Sequence, residues 1–131
     1  METATAYLDR NHYETKIKAR HLELTSDESI EAGGSNKGFA PKELLCASLA
    51  ACTSITLRMY ADRKAWPLES LNVEVTLEPN DAEKKSVLNR RIELTGNLTS
   101  EQTERLLQIA NLCPVHKVLS GSMEINTTIS Q

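Results

Sequence analysis

One stretch constrains the fold more than any other. From Pro41 to about Ala61 the chain reads as a helix whose centre, Leu44-Leu45-Cys46-Ala47-Ser48-Leu49-Ala50-Ala51-Cys52, is apolar all round and crowded with small residues. A surface helix keeps a polar face, so one without it is covered on every side, and small side chains let its neighbours approach closely. The element is therefore expected at the buried centre of the fold. Pro41 suits its first turn through a fixed φ and a missing N–H that is unsatisfied there anyway. The helix is expected to end near Asp62-Arg63-Lys64, and Pro67 begins the next link.

A membrane span is the competing explanation of such a stretch, and its length argues against it. The uncharged run, Leu44 to Leu57, falls short of the roughly 18 apolar residues a span needs and carries Ser48, Thr53, Ser54 and Thr56. The N-terminus, METATAYLDRNHYETK, has no apolar core of the secretory type. Three cysteines, an odd number, fit a reducing compartment better than a disulfide scaffold. A cytoplasmic protein with no membrane partner is expected. With 15 Lys and Arg against 18 Asp and Glu, the formal charge is −3, and aromatics make up only 4%. Neither bulk charge nor stacking platforms favour nucleic acid as a partner. The 131 residues are enough for one domain spanning 1–131.

Around the helix, periodicity and turn residues place the other elements. Alternation of Tyr13, Thr15, Ile17 and Ala19 with charged residues, then of Leu22 and Leu24 with His21 and Glu23, predicts an antiparallel strand meander over 13–32. GGSNKGFA, residues 33–40, is the clearest loop. Leu71, Val73, Val75 and Leu77 predict a strand over 70–78 with one wet face. A turn at Pro79-Asn80-Asp81 leads to a strand over 87–95, where Leu88, Ile92 and Leu94 share a face with Arg90, a residue out of character there. Thr99 and Gln102 fit a capping box for a helix over 100–112. Pro114 breaks that helix and opens a short one, 114–119, closed by Gly121. Met123, Ile125, Thr127 and Ile129 predict a last strand over 122–129. Strands and helices mix without a strict βαβ rhythm, which gives an α+β fold with antiparallel sheet.

Cysteines are the candidates for chemistry. Cys52 lies deep in the apolar helix, where its ordinary explanation is a small hydrophobe filling a core. Cys46 is six residues earlier and, at roughly 100° per residue, points about 120° away, so the two cannot be bridged and Cys46 reads as structural. Cys113 precedes Pro114 at a helix start, where its sulfur meets unsatisfied N–H groups and the positive end of the dipole, conditions that favour thiolate. His116 would share its face. Cys113-x-x-His116 is half a zinc site, and His12 and His21 have no matching spacing, so neither metal nor cofactor is expected. Cys52 with His116 as a hydrolase pair lacks an identifiable orienting residue.

Read together, GFAPKELLCASLAACTSITLRMYA and, some 60 residues on, NLCPVHKVLSG resemble the OsmC/Ohr family of osmotically inducible and organic hydroperoxide resistance proteins. Pro41, Glu43, Leu44, Ala50, Ala51, Cys52, Cys113 and Pro114 carry the resemblance, which runs from about residue 13 to 129. The resemblance implies an intertwined homodimer with the central helices of two subunits packed together, and a peroxidase that reduces a small organic hydroperoxide. It implies that Cys52 is the peroxidatic residue, that Cys113 resolves it, and that an external dithiol, such as a lipoylated protein, regenerates both. In Ohr-like members an arginine near the N-terminus stands beside the peroxidatic cysteine, held by a glutamate directly after the helix-start proline. Here Lys42 occupies that position and Glu43 follows it, turned about 100° around the helix. Arg20, in the turn between the first two strands, is the first candidate cation, and Arg90 is the second, its ordinary explanation being a frayed strand start. A reading of another class stays open: a non-enzymatic dimer that responds to redox state or binds a small apolar ligand. An arginine within about 4 Å of the Cys52 sulfur would favour the enzyme.

Overall fold

The computed structural model describes all residues from Met1 to Gln131. Its elements run β1 (Thr5–Tyr7), β2 (Thr15–Ala19), β3 (Leu22–Ser26), α1 (Pro41–Arg63), β4 (Leu68–Asn80), β5 (Lys85–Gly96), α2 (Ser100–Ala110) and α3 (Pro114–Ser120). This is the expected α+β class, with antiparallel pairing in both sheets. Contacts group into two compact units, Met1–Cys46 and Ala47–Gln131, where the sequence reads as one domain.

The first unit is a three-stranded sheet in the order β1-β2-β3. Ile17 pairs with Leu24 and Ala6 with Ile17, so the meander gains a strand, Thr5–Tyr7, that has no periodic signal of its own. Arg20 forms the β2–β3 turn in the left-handed region, φ 58°. The loop before α1 is organised by Asp27, which accepts hydrogen bonds from four backbone N–H groups. At the start of α1 the Ala40 N–H donates to Glu43 Oε1 at 2.8 Å. Glu43 thus satisfies one of the groups that a helix start leaves open.

In the second unit β4 and β5 form a long ribbon with Val75 opposite Arg90 and Val73 opposite Ile92. Pro79 and Asn80 belong to the strand, and the turn falls later, over residues 81–84. Pro79 is tolerated because a two-stranded ribbon is all edge. At its other end Gly96, φ 144°, lets the chain pass against the Pro67 carbonyl, where a Cβ would collide. A lone ribbon is marginal. This one turns Leu71, Ile92 and Leu94 against a core of Leu57, Tyr60, Leu106, Ile109 and Ala110. Thr99 and Gln102 close the expected capping box on α2.

Two expectations are corrected. Residues 122–129 form no strand: they pair with neither sheet, and Met123, Ile125 and Ile129 are exposed, so alternation without a partner strand and a face to bury makes no element. And α1 is not covered all round within the chain. Leu49, Thr53, Leu57, Tyr60 and Ala61 are buried, while Ala51, Ile55 and Met59 form an exposed stripe on another side. By length and hydropathy alone α1 passes as a membrane-crossing helix. Its uncharged run from Leu44 to Leu57 rises only about 21 Å, against a hydrocarbon core of roughly 30 Å.

Candidate functional site

The second unit brings Cys113 to α1. Pro114 fixes the start of α3, and Cys113, fully buried, takes its N-cap position with its sulfur accepting the His116 backbone N–H at 3.3 Å. Cys113 thus stands at the helix start that Cys-Pro implies, with its sulfur on one of the open N–H groups. On its other side the same sulfur lies 4.0 Å from the Thr53 hydroxyl. Thr53 is fully buried in α1 and follows Cys52 directly, so the turn of helix that carries Cys52 is the one Cys113 faces. Cys52 is half-buried, and all three cysteines are free thiols.

Arg90 ties this arrangement to β5. It is half-buried on the inward face with Leu88, Ile92 and Leu94. One guanidinium nitrogen donates to Thr53 Oγ1 at 3.0 Å, and the other bonds Asn111 Oδ1 at 3.0 Å and His116 Nδ1 at 3.1 Å. Guanidinium has donors only, so His116 Nδ1 accepts and the ring proton stays on Nε2. The Thr53 hydroxyl donates to the Leu49 carbonyl at 2.7 Å. With its single proton so engaged, it meets Cys113 through a lone pair, which makes the thiol the donor in that contact.

The reading of Arg90 as a frayed strand start is therefore wrong: β5 begins five residues earlier, at Lys85, and Arg90 is in mid-strand. The signal was its phase with three apolar residues. Thr53 and Asn111 were missed altogether, since nothing in the sequence separates a buried threonine in a helix from its neighbours. His116 acts on Cys113 through its backbone N–H, and its ring goes to Arg90 rather than to the sulfur. Glu43 is engaged by the start of α1. Arg20 is exposed at its turn. No three His, Cys, Asp or Glu side chains converge as a metal-binding group.

Residues 34–128 match the family model described as OsmC-like protein. No curated protein sequence matches the chain. Among solved structures, an OsmC-like protein from Mycoplasma pneumoniae superimposes with a TM-score of 0.77 at 23% identity, covering 92% of this chain and 88% of that one. An organic hydroperoxide resistance protein, also described as a predicted redox protein, from Legionella pneumophila gives 0.65 at 26% identity over 92% and 90%. A putative organic hydroperoxide resistance protein from Vibrio cholerae, with captopril in one of its active sites, gives 0.66 at 26% identity over 92% and 85%.

Proposed function

The chain belongs to the OsmC-like protein family, and from that premise we propose that it is a thiol-dependent peroxidase that reduces organic hydroperoxides through Cys52 and Cys113. The Cys52 thiolate attacks the O–O bond, one oxygen leaves as the alcohol after taking a proton, and Cys52 becomes the sulfenic acid. The Cys113 thiolate then attacks the Cys52 sulfur, a disulfide forms and water leaves. An external dithiol, free or lipoyl-borne, exchanges with that disulfide and restores both thiols while becoming a disulfide itself. No further cofactor takes part in this sequence.

The observation that carries the reading is the position of Cys113 at the α3 N-cap, against the residue next to Cys52. Its sulfur there accepts the His116 backbone N–H and stands against the helix turn that carries Cys52, the position a resolving residue needs. The Legionella and Vibrio relatives described as hydroperoxide resistance proteins support the substrate class. A mid-helix cysteine gains nothing from a helix terminus, so thiolate formation at Cys52 calls for a cation. Arg90, bonded to the adjacent Thr53, fits that part from within the second unit, and Arg20 is the other candidate. Homodimerisation through the exposed stripe of Ala51, Ile55 and Met59 belongs to the same reading, because a second α1 would supply the cover that its composition calls for. So does a place in the cytoplasm, where thiols stay reduced.

Stopped-flow consumption of cumene hydroperoxide with dithiothreitol tests the reading. Cys52→Ser is expected to abolish turnover with the fold intact; undiminished turnover in that variant would end the assignment. Arg20→Gln and Arg90→Gln separate the two cations, the activating one losing roughly tenfold or more in kcat/KM. The non-enzymatic ligand-binding reading is favoured by one observation, that Arg90 bonds Thr53 and not the Cys52 sulfur; it requires wild-type protein to consume no alkyl peroxide.

A further inference from the structure

Beside the Arg90 cluster lies a cavity of about 240 Å³ whose walls combine Leu49, Leu88 and Leu119 with Arg90, His116 and Ser86. No carboxylate lines it. Arg90 makes no ion pair: its side-chain partners are a hydroxyl, an amide and an imidazole, all neutral. A half-buried guanidinium without a counter-charge is unfavourable, and neutral dipoles relieve only part of that cost. Of its five N–H donors three are engaged, both hydrogens of Nη2 among them, which leaves the Nε–H and one Nη1–H. A carboxylate accepts a charge-assisted hydrogen bond from one such donor. The three leucines call for an apolar tail behind that head, and a volume below the roughly 300–1,000 Å³ of drug-sized pockets keeps the tail short.

We propose that this cavity is a binding site for a short-chain organic carboxylate, with its head on Arg90 and its tail among Leu49, Leu88 and Leu119. The His116 Nε2–H, left as a donor by the Arg90 bond at Nδ1, adds a second polar wall. Leu49 is one helical turn before Cys52 and Thr53, so an occupant lies along the turn that carries the thiol. The substrate class then becomes hydroperoxides that bear a carboxylate, a statement that rests on the peroxidase reading, whereas the binding itself does not.

Calorimetric titration of the full chain with hexanoate, hexanol and inorganic phosphate reads the site directly. Hexanoate is expected to bind saturably, at least about tenfold more tightly than hexanol or phosphate, and Arg90→Gln is expected to weaken it about tenfold or more. Ser86→Trp, at an exposed strand position, fills the cavity without replacing any Arg90 partner and is expected to abolish binding with an unchanged circular dichroism spectrum. Should Arg90→Gln fail to fold, Ser86→Trp decides alone. Absence of saturable hexanoate binding, equal binding of hexanol or phosphate, or indifference to the substitutions would overturn the site. Turnover of 6-hydroperoxyhexanoate against its methyl ester completes the test, with a kcat/KM ratio of at least about ten expected for wild type and near one contradicting the substrate statement. If cumene hydroperoxide is not consumed while hexanoate binds, the peroxidase reading fails and the carboxylate site stands.

Discussion

Asp27 is 2% exposed, yet its carboxylate accepts from the backbone N–H groups of Tyr13, Glu28, Ser35 and Lys37. Burial acts to raise its pKa, and the four donors outweigh that, holding it below the usual carboxylate value. A depressed folded-state pKa means stability that is fully present above the unfolded value of about 3.9 and lost as pH falls through the lower folded one. Amide exchange at Glu28, Ser35 and Lys37 is therefore expected to accelerate on acidification below about pH 4 in wild type, and to be fast and nearly pH-independent, after correction for intrinsic rates, in Asp27→Asn. Equal protection in the two proteins would contradict this. Asp27 carried no sequence signal, because a carboxylate that organises a loop through backbone donors looks like any surface aspartate. The same is true of Thr53 and Asn111, whereas Arg90 was visible as the one charge on an apolar strand face. Cys46, half-buried and outside the Cys113 network, gives a second expectation: Cys46→Ala lowers stability by about 1 kcal/mol and leaves peroxide turnover unchanged, measured by denaturant melt and the stopped-flow assay.

Elements with a local rule behind them were legible. The Thr99–Gln102 capping box, the Cys113-Pro114 helix start and the alternation of β4 each rest on residues within one turn or one ladder, and each is present. What failed depended on partners far along the chain. The 122–129 alternation pairs with no strand, and the turn after β4 slid to residues 81–84 because Pro79 and Asn80 pair with Ser86 and Lys85. The α2 stripe is the firmest packing claim at this scale: Leu106 is fully buried against Leu57 and Tyr60. Leu106→Ala is expected to cost about 2–5 kcal/mol in chemical denaturation, and a loss below 1 kcal/mol would mean the core relaxes around it. In the dimer proposed above, Ile55→Asp on the exposed side of α1 is expected to lower the mass read by light scattering from two chains to one while leaving Cys113 buried in its cap. An unchanged mass would remove this stripe from the interface.

At the scale of the whole molecule, the family was readable because its two marks, the small-residue helix with Cys52 and the Cys113-Pro114 break, each impose a backbone requirement. The chemistry that joins them was less readable, since it depends on how β5, α1 and α3 meet around Arg90. Turnover through the proposed pair requires that peroxide oxidation link two sulfurs that are 61 positions apart in sequence. One equivalent of cumene hydroperoxide, followed by alkylation of remaining thiols and peptide mass mapping, tests this directly. A Cys52–Cys113 linked peptide lighter by two hydrogens, with Cys46 alkylated, is expected; recovery of all three cysteines as alkylated thiols, or a linkage through Cys46, would end the assignment of this pair.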